Sequence, residues 1–421
     1  MPKYQLPRGT RDVLPAEAHV WRHLVAVFQG LVEGYGYGEI RTPMFEDFDL
    51  FVRSSGETSD IVSKEMYDFM DKGGRHVSLK PEGTAPAMRA YLEHSLAQPG
   101  QVTRLWYYTP IFRYGRPQKG RYRQAHQVGL ELIGSSSPRA DAEVIEITME
   151  FYRRLGLSGL KVVLNSIGRL KARELYQAAL LKFLATWMSD QSEEEQAKVR
   201  KNPLRVLDTK DANLRTLLAE APQVTSFLED ESRAHFETVQ LLLTDAGVPY
   251  ELDPQCVRGL DYYTDTVFEV LSNDLGAQSS LCGGGRYDNL IGEMGGPSTP
   301  SVGVAMGVER AILVMEQLGK LPKPGVLDAF VIAGPNEADI AAGLARRLRE
   351  QGLSVQTDLD TRGFKQQFKQ ADRSGARFAI VVGESEAAGG FLTLKNLGQG
   401  SQTQVGEAEA ITAIKAERQV C

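Results

Sequence analysis

A chain of 421 residues with 42% hydrophobic content can bury the cores of two or three domains without disulfides. Its net charge of −6 excludes indiscriminate attraction to nucleic acid, so any contact with RNA or DNA must be made by a local basic patch. Three widely spaced cysteines without a CxxC pair (Cys256, Cys282, Cys421) argue against a structural zinc site, and no apolar run reaches transmembrane length and no signal-peptide pattern is present, so a cytoplasmic protein with no membrane partner is expected.

From Pro2 to about residue 166, helical stretches such as 21–33 mix with strand-like ones. In 79–84, LKPEGT, Glu82 and Thr84 fall just past a strand end, with Thr84 placed to cap a helix. The segment 111–133, IFRYGRPQKGRYRQAHQVGLELI, carries five cations (Arg113, Arg116, Lys119, Arg121, Arg123) and no acid until Glu131. Its flanks, 105–112 and 128–133, read as the strands of a hairpin. A run of arginines in an acidic protein suits concentrated negative charge such as phosphate or RNA. From about 168 to 248 the pattern turns helical, and Ser192 with Glu195 reads as a capping box.

After Pro249 strand patterns return at 267–271 and 301–306, separated by the glycines of 282–288, CGGGRYD. The helical segment therefore reads as an insertion into a mixed α/β domain, and two distant halves of the chain would share one sheet. RGLDYYT (258–264) sets a cation, an acid and two aromatics side by side. In SVGVAMGVERAI (301–312), a strand with Gly303 and Gly307 runs into a helix opening on Glu309 and Arg310; an arginine in a first turn opposes the helix dipole unless it has a ligand. There is no P-loop and no GxGxxG turn, so any nucleotide site must rely on the arginines.

The Pro/Gly stretch 319–325 is a linker, which gives domains at 1–325 and 326–421. Beyond it the spacing predicts strand 329–333, helix 336–351, strand 354–359, helix 364–374 and strand 377–382, a small and largely parallel sheet. Ile340, Leu344 and Leu348 form the buried stripe of the first of these helices, and Gly352 ends it. Taken singly, each motif also reads as ordinary structure: a solvated basic hairpin, packing glycines beside a surface arginine, half-buried tyrosines, a capped turn, a flexible glycine turn.

Taken together they resemble one family. An arginine on a strand with a basic loop, followed by Gly-x-x-x-Gly-x-Glu-Arg at a strand–helix junction, resembles motifs 2 and 3 of class II aminoacyl-tRNA synthetases. YGYGEIRTPMFE (35–46), with Pro43, resembles their motif 1, the dimer-interface element. RGLDYYT and GGGRYD are similar to the two signature blocks of histidyl-tRNA synthetases, and RGTRD (8–12) and residues 359–376 also fit that family.

The resemblance implies α/β and α+β multidomain architecture: a class II antiparallel-sheet catalytic domain with a helical insertion, and a C-terminal α/β anticodon-binding domain. It implies activation of L-histidine with ATP and magnesium, transfer to the 3′ end of tRNA(His), and a homodimer. By motif match, Arg113 and Arg258 are catalytic, and Arg113, Arg121 and Arg310 hold ATP. Glu82, Gly83, Thr84, Arg113, Gln127, Glu131, Arg258, Tyr262 and Tyr263 hold histidine, while Arg116 and Gln118 meet the tRNA acceptor end. No resident metal ligand is implied.

Two positions depart from the pattern. Gly115 stands where the family commonly has an acid for the adenine amino group, and Ala125 where an aromatic stacks on adenine. Stacking contributes about 1–3 kcal/mol per base, so ATP affinity is expected to suffer, while the phosphate arginines and the histidine pocket are untouched. The alternative is a non-charging paralogue, either a regulatory subunit of the first enzyme of histidine biosynthesis or a tRNA-binding regulator; that subunit typically lacks both the anticodon domain and an intact RGLDYYT, and this chain has both.

Overall fold

The architecture is that of a computed structural model, which describes residues 4–56, 59, 61–98, 100–209, 211–273, 280–360 and 362–419; Cys421 and Thr361 lie outside them. Two compact units, Met1–Pro322 and Lys323–Cys421, divide the chain inside the Pro/Gly linker.

The strands of the first unit, in chain order, are β1 (Gly38–Glu39), β2 (Phe45–Asp47), β3 (Tyr67–Met70), β4 (His76–Leu79), β5 (Thr103–Phe112) and β6 (Gln124–Ile133). They continue with β7 (Leu160–Ser166), β8 (Tyr250–Leu252), β9 (Thr264–Ser272), β10 (Ser280–Arg286) and β11 (Ser301–Gly307). Eight of these form one sheet in the order β1-β5-β6-β11-β10-β9-β7-β8, antiparallel except at its two edge pairs. The expected hairpin is β5–β6, and β6 pairs next with β11 from beyond the helical segment. The two halves of the chain thus meet in mid-sheet. A smaller sheet, β2-β4-β3, lies apart.

Period-two alternation gives the large sheet two different faces. Trp106 of β5 and Val128, Leu130 and Leu132 of β6 enter the main core. Helix Ala18–Gly34 packs on that face with Trp21, Leu24, Phe28 and Leu31, spaced for one helical stripe, and helix Pro138–Arg154 adds Val144, Ile147 and Phe151. That second helix starts where Ser137 accepts a hydrogen bond from Arg139 N and Pro138 occupies the first turn. The opposite face carries Leu105, Tyr107, Tyr262, Tyr263 and Tyr287 and faces the site.

The glycines of 283–285 are not a turn. They run along β10 in the middle of the sheet, between β9 and β11. Gly285 has φ +154°, a backbone that L side chains rarely adopt, and a Cβ there would strike the Tyr263 ring. The missing side chains serve close packing rather than chain reversal.

Between β7 and β8, the helices from Leu170 to Leu218 build the insertion around a core of their own that includes Tyr176, Leu180, Leu184, Met188 and Leu214, whereas helix Asp230–Asp245 packs into the main core with Phe236, Val239 and Leu243. Ser192 caps helix Glu193–Lys201 by accepting from Glu195 N at 3.2 Å. Only this half of the expected box forms, because the Glu195 carboxylate turns to Lys198, 3.7 Å away.

The second unit holds β12 (Ala329–Ala333), β13 (Val355–Thr357), β14 (Phe378–Val382), β15 (Leu392–Asn396) and β16 (Gln402–Val405) in the order β13-β12-β14-β15-β16. Its first three strands are parallel, and an antiparallel hairpin, β15–β16, extends them. The sheet is therefore more mixed than the largely parallel one expected, because the short polar strands after residue 390 carry little apolar alternation. Helix Ala338–Glu350 buries Ala341, Leu344, Ala345 and Leu348, whereas Ile340 is 50% exposed. The small alanines let the helix sit close to the sheet, and this rotates the stripe off Ile340. No helix among the described residues is long and apolar enough to cross a membrane.

The rotated stripe is testable in urea unfolding of the second unit. Leu344→Ala is expected to cost about 2–5 kcal/mol, and Ile340→Ala no more than about 0.5 kcal/mol; equal losses would restore Ile340 to the core.

Candidate active site

A cleft of about 620 Å³ opens on the site face of the first unit; Arg113, Arg121, Gln127, Arg258 and Arg310 line it, with Glu65, Glu269, Gly115 and Ala125. Arg113 follows the last residue of β5. Its backbone N bonds to Arg123 O at 2.8 Å and its Nε donates to Pro81 O at 2.7 Å, so the side chain is tied to the turn before Glu82. Arg121 pairs with Glu65 at 2.9 Å. Arg310 donates to Ser280 O, and Arg258 pairs with Glu269 while lying over Gly283, where a Cβ would collide with its guanidinium.

The charges are arranged for an anion. Burial lowers the pKa of Arg113, with Arg121 adding to the effect, and burial lowers that of Arg310, to which both Arg121 and Arg113 contribute repulsion. Guanidinium stays protonated regardless, so the mutual repulsion persists, offset in part by Glu65, Glu82 and Glu269, and an anionic ligand would relieve it further. Arg258 differs: burial is the largest single influence and opposes its charge, but Glu269 together with Tyr263, Cys256 and Cys282 raises its pKa above the ordinary value.

Further along β6 from the cleft residue Gln127 lies a buried polar cluster built on Glu131, the Glu131 pocket. Glu131 is fully buried, and Thr84 Oγ1 donates to it at 2.8 Å, Tyr107 OH at 3.0 Å and Tyr287 OH at its other oxygen. Across the strand pair it stands opposite Gly303, where any Cβ would collide with the carboxylate. Burial pushes its pKa up to about 8 against these three hydrogen bonds. Tyr262 packs on Tyr263 with ring centres 4.6 Å apart and on Tyr287 at 5.5 Å. Gln127 Oε1 is buried without a hydrogen-bond partner, an acceptor suited to a ligand donor.

Glu82 corrects the expected cap. Its carboxylate accepts from Thr84 N at 2.6 Å and Ala85 N at 2.7 Å and so caps helix Thr84–Glu93, which frees the Thr84 hydroxyl for Glu131. Burial raises the Glu82 pKa, opposed by those two N–H groups and by Arg113. Gly83 leaves room for the Tyr107 ring.

The cleft and pocket thus bring together Glu82, Gly83, Thr84, Arg113, Arg121, Gln127, Glu131, Arg258, Tyr262, Tyr263 and Arg310. Arg116 and Gln118 are exposed on the hairpin loop and do not line the cleft. Arg123 packs over the Tyr114 ring at 3.7 Å, and its backbone bonds to Gly9 O at 2.7 Å, so the N-terminal RGTRD segment braces the hairpin. At Gly115 a Cβ would come within 3.2 Å of Glu65 Oε1 and 3.4 Å of Arg121 Nε. A side chain at 115 would therefore be close-set against the Glu65–Arg121 pair, which would have to give slightly to admit it.

Sequence reading missed Tyr107, Tyr287, Glu65, Glu269 and Glu309. Tyr287 stands in the GGGRYD block without an expected role. Tyr107 shares a face with the site only through the β5–β6 register, which pairs it with Gly129 and Leu105 with Glu131. Glu309 accepts from His126 N at 3.0 Å and contacts its Nδ1 at 2.9 Å, stitching the β11 helix to β6. Among the described residues, no group of three or more His, Cys, Asp or Glu could hold a metal ion.

Comparison with known proteins agrees with this geometry. Residues 9–311 match the family model described as histidyl-tRNA synthetase, and residues 328–417 match the one described as anticodon binding domain. The histidine–tRNA ligase of Synechococcus elongatus is 46% identical over 412 residues, 98% of this chain and 94% of the relative. The crystal structure of apo Staphylococcus aureus histidyl-tRNA synthetase superposes with a TM-score of 0.83 at 38% identity, covering 98% of this chain and all of that one. A structure titled as an ATP phosphoribosyltransferase regulatory subunit/histidyl-tRNA synthetase from Bacillus halodurans, with a TM-score of 0.66 at 23% identity over 91% of this chain and 99% of that one, shares the fold alone. With 46% identity across its length and the family's catalytic and anticodon-binding models both matched, this chain belongs to the histidyl-tRNA synthetase family, the histidine–tRNA ligases.

Proposed function

We propose that the arginine cleft and the Glu131 pocket activate L-histidine with ATP and pass the histidyl group to the 3′ end of tRNA(His). The observation that carries this reading is the adjacency of two unlike sites: three mutually repelling arginines lining one cleft, and a buried carboxylate ringed by hydroxyl donors.

In the first step a carboxylate oxygen of histidine attacks the α-phosphorus of ATP and the bond to pyrophosphate breaks. In the second a hydroxyl of the terminal ribose attacks the carbonyl carbon and AMP departs. Such chemistry depends on positioning and on cations around developing negative charge. Arg113 and Arg258 grip the α-phosphate and the substrate carboxylate, and Arg310 with Arg121 holds the outer phosphates, by the bidentate contacts guanidinium favours. Glu65 and Glu269 are cleft carboxylates that suit a magnesium ion held chiefly by the nucleotide, where the metal would offset phosphate charge.

For the amino acid, Glu82, Gly83 and Thr84 receive the α-ammonium. A carboxylate that accepts two backbone N–H groups keeps lone pairs for a third donor. Gln127, Glu131, Tyr262 and Tyr263 surround the imidazole, and a buried carboxylate facing a ring N–H rejects side chains that lack that donor. Arg116 and Gln118, exposed on the loop, reach the acceptor end. The second unit binds the anticodon, and local basic patches make the affinity salt-dependent.

The small β2-β4-β3 sheet supports a homodimer. Phe45 and Phe69 project from one face of its strands and are 55% and 46% exposed, an apolar surface that needs a cover. Sedimentation velocity is expected to show a dimer that Phe69→Asp converts to monomer; an unchanged mass for the variant would move the interface elsewhere.

ATP–pyrophosphate exchange tested with each amino acid in turn should respond to histidine alone. In that assay Glu131→Gln is expected to raise the histidine KM at least roughly tenfold. Arg258→Ala is expected to lower kcat about 10²–10³-fold. No exchange with any amino acid, with tRNA binding retained, would make the protein a regulator instead.

Glu131 also sets a pH dependence. An unfolded glutamate ionises near 4.5 and the folded one near 8, so between these values the folded state alone keeps the proton and stability falls as pH rises. In ligand-free protein, Glu131→Gln should flatten that slope in thermal melts between pH 5 and 8; a slope equal to that of the unaltered protein would show that Glu131 does not titrate there.

A further inference from the structure

We infer that the helical insertion is wired to the amino-acid pocket through Arg173, a positioning residue for the loop 258–264. Arg173 stands in the first turn of helix Leu170–Phe183, the first helix of the insertion. Its Nη1 donates to Asp261 O at 3.2 Å and its Nη2 donates to Tyr263 O. One guanidinium therefore holds two carbonyls that flank Tyr262, in a stretch that is neither helix nor strand.

A second contact converges on the same loop. Asn202, at the end of helix Glu193–Lys201, donates its side-chain amide to Asp261 Oδ1 at 3.1 Å. The other oxygen of Asp261 lies against Gly56, where a Cβ would strike it. Arg173 and Asn202 line the same cleft as Arg258, so the insertion forms one of its walls.

The physical consequence follows from what the loop carries. Tyr262 and Tyr263 have no regular backbone ladder to set their positions ahead of β9, whereas Arg258 is held separately by its pair with Glu269. Side chains of the insertion supply that restraint. The ring contacts of Tyr262 with Tyr263 and Tyr287 then depend on a helix that contributes no atom to the ring cluster. Histidine affinity thus becomes sensitive to how the insertion is seated.

This inference rests on the histidine-activating reading, and pyrophosphate exchange without tRNA separates the two. Full-length protein is compared with Arg173→Met, Arg173→Lys and Asn202→Ala, measuring the KM for histidine and for ATP separately, with thermal melts alongside. Arg173→Met is expected to raise the histidine KM at least roughly tenfold and leave the ATP KM nearly unchanged. Arg173→Lys should recover part of the loss, because an ammonium can still reach one carbonyl, and Asn202→Ala should show a smaller rise of the same kind. An unchanged histidine KM in Arg173→Met, equal shifts of both KM values, or no rescue by lysine would overturn the wiring. If Arg173→Met does not fold, an unchanged histidine KM in Asn202→Ala overturns it as well. Failure of the unaltered protein to exchange with histidine would instead overturn the functional reading itself.

Discussion

The structure turns on the opposition of Glu131 and Gly303 across β6 and β11. A buried carboxylate is tolerated only where its hydration is replaced, and here Thr84, Tyr107 and Tyr287 donate to it. Those three donors come from a helix start, from β5 and from the end of β10. Gly303 leaves the volume that the carboxylate needs. The two chain halves must therefore be in register before the pocket exists, which couples completion of the sheet to completion of the site.

The same economy governs the arginines. The protein is acidic overall, with a net charge of −6, yet Arg113, Arg121 and Arg310 repel one another within one cleft. Carboxylates temper this selectively: Glu269 keeps Arg258 charged, while Glu65 takes Arg121. Glu65 also bears on the departure at Gly115, since a side chain there would crowd its carboxylate and Arg121. Ala125, paired with Ile111 across the hairpin, leaves the cleft wall without an aromatic at that point. These two positions touch the cleft and leave the Glu131 pocket intact.

Much of this was legible in the chain. Arginines at a strand end and in a first helical turn, glycines on strands, and the RGLDYYT cluster all marked chemistry before any fold was known. Where reading failed, it failed at choices between local partners. Thr84 was expected to cap its helix, but Glu82 does so, because a carboxylate two residues upstream reaches two N–H groups at once. Ile340 fitted a helical stripe as well as its neighbours did, and only the sheet beneath selects the side with Ala341 and Ala345. The glycines of 283–285 fitted a backbone lying flat against a ligand or a flexible turn equally well, because the rings and guanidinium that lie against them come from distant segments.

By itself, then, the sequence determined the β5–β6 hairpin, the strand–helix junction at 301–310, the helical character of the insertion and the family, since these rest on composition, periodicity and motif order along the chain. Tertiary structure alone decided which hydroxyls reach Glu131, that Glu65 and Glu269 partner the cleft arginines, and that Arg173 grips the loop bearing Tyr262. Those contacts join residues tens to more than a hundred positions apart, except the Arg258–Glu269 pair, which spans 11 positions. Sheet register and close packing set such distances, and neither is written in local spacing.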